Sequence, residues 1–235
     1  MALILNIETS TEVCSVVLAR DGVIMQFRED LTGQNHARLV TVLIDELFAA
    51  SNITIDQIDA VAVSGGPGSY TGLRIGVSVA KGICYASNLA LIAITSLEAM
   101  AHHVIHNLKN YQLPETENIL FCPMIDARRM EVYTAFYDKN GTQIRKIQAD
   151  IIDHQSYLPY LESNTVLFFG NGASKCRDAV THPNAIFISG IITSAKNMVP
   201  LAEREFQLQK FVDVAYYEPF YLKDFVATIP VKNIF

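Results

Sequence analysis

The stretch Ser64–Gly76 reads SGGPGSYTGLRIG. It follows an apolar run, DAVAV at Asp59–Val63, and leads into the helical pattern VSVAKGICYA at Val77–Ala86. A glycine-rich turn from strand to helix places free N–H groups and the positive end of the helix dipole together, a setting that suits an anion. Gly65, Gly66, Gly68 and Gly72 can take positive φ or admit a second backbone at close range. No Gly-Lys-Ser/Thr follows the last glycine, so this is not a P-loop, and the spacing is not GxGxxG. Two readings stay open on chemistry alone: a phosphate cradle, or a tight turn packed beneath a cleft. Ser64 does not fit a nucleophile elbow, because Ala62 stands where Gly-x-Ser-x-Gly needs its first glycine.

Outward from this stretch, the same order of elements occurs twice. Leu3–Thr9, Cys14–Arg20 and Val23–Arg28 read as strands, with an Asp21-Gly22 hairpin signal between the last two. Ala37–Ala50 reads as a helix, Ala60–Ser64 as a buried strand and Gly72–Ala86 as a helix. Leu91–Thr95 is a strand, and Ser96–Leu108 a helix capped by Ser96. Asn110–Asn118, polar and carrying Pro114, is the linker candidate. Beyond it, Ile119–Ile125, Met130–Tyr137 and Gln143–Ala149 read as strands and Ile152–Tyr160 as a helix. Val166–Phe169 (strand), Ser174–Val180 (helix), Ala185–Ser189 (strand) and Ser194–Phe211 (helix) complete the pattern. Two βββαβαβα units predict an α/β protein of two similar lobes, the layout of the actin, Hsp70 and sugar-kinase (ASKHA) superfamily. The lobes are expected at 1–109 and 110–235, with the last ~20 residues packing back on the first.

The 235 residues are 50% hydrophobic, enough for a sizeable core, and the formal net charge of -6 argues against stand-alone binding to nucleic acid. Cys14, Cys84, Cys122 and Cys176 form no CxxC pair and read as reduced core thiols. The N-terminus lacks the basic region of a signal peptide, and no apolar run reaches the ~18 residues of a membrane helix. A soluble cytoplasmic protein without a membrane role is expected.

Several motifs together resemble the bacterial TsaB (YeaZ) family: SGGPGSYTGLRIGVSVAKGI at Ser64, NIETST at Asn6, NHARLVTVL at Asn35 and ITSLEAMA at Ile94. MIDARRMEVY at Met124, GNGASK at Gly170 and YYEPFYLKD at Tyr216 extend the resemblance over nearly the whole chain, in order. The resemblance implies a relative of TsaD, the catalytic subunit that places threonylcarbamoyl on adenosine 37 of tRNAs reading ANN codons. It implies a chain that pairs with TsaD and helps recruit the ATPase TsaE, with the tRNA held mainly through the complex, and that does not catalyse the transfer itself. The rivals are a nucleotide-dependent kinase or ATPase of the same fold and a glycoprotease-like peptidase.

A TsaD-like metal site uses histidines at i and i+4. If ITSLEAM is the counterpart segment, Ser96 and Met100 stand in their places, and the helix of NHARLVTVL keeps only His36. A hydroxyl and a thioether do not make a hard-metal pair, so no metal is expected in this chain. His102 and His106 are also i, i+4, with His103 between them, but lie further along and read as a helix surface. Glu8, followed by Thr9 and Ser10, stands where superfamily kinases place a magnesium-handling Asp; it could serve that role or cap its turn through backbone N–H groups. Asp126, with Arg128 and Arg129 after it, occupies the equivalent second turn, either as a hairpin Asp bonded to its own backbone or facing the cleft or a partner. Any ATP or ADP is expected to bind weakly, or only where another subunit closes the site.

The first two helices are the expected partner surface, for TsaD or for a second copy of the chain when TsaD is absent. One carries His36, Leu39, Val40, Leu43, Ile44 and Leu47; the other carries Gly72, Gly76 and Ala80 on one side and Leu73, Val77 and Cys84 on the other. These residues would otherwise be buried in the chain's own core.

Overall fold

The computed structural model describes residues 2–33, 35–111 and 118–223. The first half holds β1 (Leu3–Glu8), β2 (Cys14–Arg20), β3 (Val23–Asp30), α1 (His36–Ser51), β4 (Ala60–Gly66), α2 (Tyr70–Ser87), β5 (Ala90–Thr95) and α3 (Ser96–His106). The second holds β6 (Ile119–Asp126), β7 (Glu131–Tyr137), β8 (Gln143–Ile151), α4 (Leu158–Leu161), β9 (Thr165–Phe169), β10 (Ala185–Phe187) and α5 (Ala195–Gln207).

The two sheets have one topology. The orders are β3-β2-β1-β4-β5 and, read from the matching edge, β8-β7-β6-β9-β10. β1 is antiparallel to β2 and parallel to β4; β6 is antiparallel to β7 and parallel to β9. Central strands buried on both faces read as near-continuous apolar runs, as LILNIE in β1 and AVAV in β4 do.

Alternation along the strands sets the layers. Leu3, Leu5 and Ile7 of β1 and Val61 and Val63 of β4 face α1 and α2, meeting Val40, Leu43, Ile44, Leu47, Val77, Ala80 and Cys84. The opposite face, with Ile4, Ala60, Ala62, Ile92 and Ile94, receives Met198, Leu201 and Ala202 of α5. α3 turns the other way: Leu97, Met100, Ala101 and Val104 pack on Phe121, Ile125, Ala135 and Phe169 of the second sheet. The final helix of each half thus lies on the other half's sheet. After α5 the chain stays with the first half, where Val212 N–H donates to Leu91 O at 2.9 Å and Phe220 N–H to Gly65 O at 2.8 Å.

Several expectations are corrected. Ile152–Tyr160 is not a helix; only Leu158–Leu161 is, entered through Tyr157 at φ 67. The Asp153 carboxylate accepts from Gln155 N–H and the Ser156 hydroxyl, an Asx turn that competes with helix. Ser174–Val180 contracts to a 3-10 turn at Ser174–Cys176, and Ser194–Phe211 ends at Gln207. α2 begins at Tyr70, before Gly72, because Ser69 Oγ accepts the Gly72 N–H at 3.2 Å. Ser96 does not cap α3; Thr95 holds the cap position, and Ser96 Oγ is buried without a hydrogen-bond partner. Residues 112–117 of the linker candidate lie outside the described residues, as do 224–235. Among the described residues no helix is long and apolar enough to cross a membrane.

Candidate functional site

β1 ends at Glu8, whose side chain falls on the α5 side of the sheet with Ile4 and Asn6. The turn after it is closed by its own chain. Ser10 N–H donates to Glu8 Oε1 at 2.6 Å, and Thr9 N–H to Ser64 Oγ at 3.3 Å. Thr9 Oγ1 donates to Gly72 O at 2.8 Å, and Ser10 O accepts from Ser69 N–H at 2.7 Å. Glu8, Thr9 and Ser10 are at most 1% exposed. Burial raises the Glu8 carboxyl above the usual range, against the lowering effect of hydrogen bonds from Ser10, Ser64 and Thr9. Glu8 is therefore a turn cap in a closed pocket of backbone.

The glycines of the loop serve this closure. A Cβ at Gly68 would collide with Ser10 O, at Gly72 with Thr9 O and at Gly76 with Thr9 Oγ1. At Gly65 it would collide with the Tyr217 hydroxyl, and at Gly66 (φ 100) it would stand 2.7 Å from Phe220 O. The space above the loop is filled by the β1–β2 turn and by the C-terminal segment, and Ser69 caps the helix end. Ser64, fully buried with its Oγ accepting from Thr9, belongs to the same packing.

The equivalent turn after β6 is open. Asp126 Oδ1 accepts from Arg128 N–H at 2.7 Å and from Lys175 Nζ at 2.5 Å. Lys175 also donates to Glu131 O at 2.7 Å, and Lys223 pairs with Glu131. Asn171 accepts from Asp126 N–H at 3.0 Å and donates to Glu12 Oε2 at 2.8 Å, tying the second turn to the first. Arg128 and Arg129 are exposed, with φ of 69 and 49. Gly170 (φ 103) and Gly172 repeat the role of the first loop, pressed against Met124 O and Asp126 N. Sequence reasoning found the turn but missed Asn171, Lys175, Lys223, Tyr217 and Phe220; the signal for the last two was that crowded glycines require something to be crowded by.

The two residues expected to stand in for a TsaD-like metal pair are interior. Ser96 and Met100 are each 1% exposed, Met100 in the core against the second sheet. His36 Nε2 lies 2.9 Å from Thr11 O. The His102 and His106 rings stack at 3.9 Å, and His106 Nδ1 is 2.9 Å from His102 O. Burial first, then the neighbouring His106 and Arg204, push His102 down to about 4. Among the described residues no three His, Cys, Asp or Glu side chains are grouped to hold a metal ion.

The expected partner stripe is corrected by its burial. Val40, Leu43, Ile44 and Leu47 are between 0% and 8% exposed, as are Leu73, Val77, Ala80 and Cys84, and Gly76 is buried too. The helices turn these residues to their own sheet, which stabilises the lobe by about 2 kcal/mol for each large side chain. Of the residues expected to face a partner, Leu39 and His36 remain partly exposed. The outward face instead carries Val42, Ala49, Ser78, Gly82 and Tyr85, while Ile75 and Val79 are half-buried against the lobe's own core. Tyr85 is 86% exposed, and a Cβ at Gly82 would meet nothing within 4 Å.

Two sheets of one topology, glycine loops pressed on the first hairpin of each and a helix from each half on the other's sheet define a two-lobed α/β protein of the ASKHA type. The model of the family described as "TsaD: tRNA N6-adenosine threonylcarbamoyltransferase" matches residues 29–231. The chain is 29% identical over 230 residues to the tRNA threonylcarbamoyladenosine biosynthesis protein TsaB of Haemophilus influenzae, covering 94% of this chain and 93% of that protein. It is 29% identical over 232 residues to TsaB of Escherichia coli, covering 95% and 96%. YeaZ from Pseudomonas aeruginosa has the same fold, with a TM-score of 0.79 at 22% identity, covering 94% of this chain and 100% of that one. The chain belongs to this family, in its TsaB (YeaZ) branch.

Proposed function

We propose that this chain works in tRNA threonylcarbamoyladenosine biosynthesis as a non-catalytic subunit. It pairs with a TsaD-like subunit that modifies adenosine 37, and helps that pair recruit a TsaE-like ATPase. The observation that carries the non-catalytic reading is the interior setting of Ser96 and Met100, the presumed counterparts of a metal-binding histidine pair, in the packed core. The names of the TsaB relatives support the pathway. ATP or ADP, where it joins the complex, is held between subunits, since the first turn is filled by its own backbone.

Pairing uses the outward face of α1 and α2. Val42 and Tyr85, with the exposed edges of Ile75 and Val79, give it apolar area, and Ser78, Gly82 and Ala86 at i, i+4 spacing let a partner helix approach closely. Two chains of shared fold could also meet there as a homodimer. The test is turnover on an ANN-reading tRNA with threonylcarbamoyl-adenylate and metal supplied. The purified chain alone is expected to give no modified adenosine, and the TsaD-like subunit from the same organism is expected to require it. Turnover by the chain alone would overthrow the reading.

A further inference from the structure

The tip of the β6–β7 hairpin has a charge arrangement that neither the fold nor the pairing face uses. Arg128 and Arg129 both take left-handed backbone, uncommon for residues other than glycine, and both are exposed. The turn holds them there: Ala127 N–H donates to Glu131 O at 3.0 Å, Glu131 N–H to Arg128 O at 3.1 Å, and Arg128 N–H to Asp126. The two carboxylates of the turn itself, Asp126 and Glu131, each have a cation. Asp126 pairs with Lys175 and Glu131 with Lys223, while neither arginine forms an ion pair with a described residue. The lysines thus offset the turn's own carboxylates, and among the described residues no ion pair uses the two guanidinium groups.

We propose that Arg128 and Arg129 hold the phosphodiester backbone of the tRNA. The proposal rests on the functional reading above, and adds a direct contact from this chain to the substrate. Size favours a nucleic acid backbone over a protein surface. A stable protein interface takes roughly 20–30 residues a side; this tip presents Ala127 to Met130. A phosphate contact requires only the charge and the fork of donors. Adjacent residues have Cα atoms about 3.8 Å apart, so the two side chains can reach successive phosphates of one strand.

The test compares wild type with Arg128→Gly/Arg129→Gly, which removes charge while keeping the left-handed turn accessible, and with Arg128→Lys/Arg129→Lys. Binding of an unmodified ANN-reading tRNA transcript is measured against salt, on the full chain alone and on its assembly with the TsaD-like subunit. Thermal unfolding checks the fold. The Gly pair is expected to weaken binding about tenfold near 0.1 M salt and to lower the slope of log K against log salt by about 1.4–1.8, the share of two phosphates. The Lys pair is expected to keep the slope. Ile151→Ser, changing an exposed apolar neighbour that is 77% accessible, is expected to leave tRNA binding unchanged. An unchanged affinity and slope in a folded Gly pair overturns the proposal. So does loss of subunit pairing with tRNA binding intact, which would make the tip a protein contact. Failure of the wild-type chain to pair would sink the functional reading, whereas an unchanged affinity and slope for the Gly pair in an assembly that does form overturns this proposal alone.

Discussion

The turn after β1 and the turn after β6 stand at the same place in two copies of one topology. In both, a carboxylate accepts the backbone N–H two residues on: Glu8 from Ser10 at 2.6 Å, Asp126 from Arg128 at 2.7 Å. In both, glycines of the next loop press on the turn. Yet Glu8 is 1% exposed and enclosed by the turn and the first glycine loop, while Asp126 is exposed and followed by two exposed arginines that form no ion pair among the described residues. Duplication supplies the scaffold, and what covers each copy decides what it can do. A covered turn contributes stability; an open one is left for contacts with other molecules.

The comparison breaks most sharply at the covered turn. Gly68→Ala drives a methyl into Ser10 O, a backbone atom that cannot swing aside. A loss of about 3 kcal/mol in denaturant unfolding is expected. Gly141→Ala, in the open β7–β8 hairpin with nothing near its Cβ and φ of 79, is expected to cost only about 1 kcal/mol. Equal losses at the two positions would show that the first loop has room to spare, and would reopen it as an anion site.

Glu8→Gln gives a smaller effect with a diagnostic sign. Burial raises the Glu8 carboxyl above its unfolded value of 4.5, so the folded chain binds more protons than the unfolded one above that pH. The contribution of Glu8 to stability is fully present below 4.5 and is lost as pH rises toward the folded pKa. Gln keeps an acceptor for Ser10 N–H without a charge to desolvate. The variant is expected to be at least as stable as wild type at pH 7.5 and to lose that part of the slope in a pH series of melting temperatures. A variant less stable at pH 7.5 would mean that the ionised carboxylate is what the turn requires.

Much of this was legible in the sequence. Apolar periodicity showed the repeated order of elements, and the glycine spacing marked a loop under close approach. What stayed hidden depends on contacts distant in the chain. The pattern Val40, Leu43, Ile44, Leu47 shows that α1 has an apolar face, but the partner that face meets is set by Leu5, Ile7 and Val16 across the sheet. α3 reads as the last helix of the first lobe, yet its side chains belong to the second sheet. Nothing local signals that exchange. Tyr217 and Phe220 close on Gly65 and Gly66 from about 150 residues away, a pairing no spacing rule anticipates. Ile152–Tyr160 failed for a local reason, the Asx turn at Asp153.

The outward face of α1 and α2 is the central claim, and Gly82→Arg tests it most directly. Gly82 lies mid-helix with open space around it, so the replacement should raise helix stability by up to about 1 kcal/mol while blocking the approach of a second helix. The measurement is titration of the variant with the TsaD-like subunit by calorimetry, alongside its melting temperature. The account predicts a chain that melts no lower than wild type and no longer pairs; a stable variant that still pairs at wild-type affinity would contradict it.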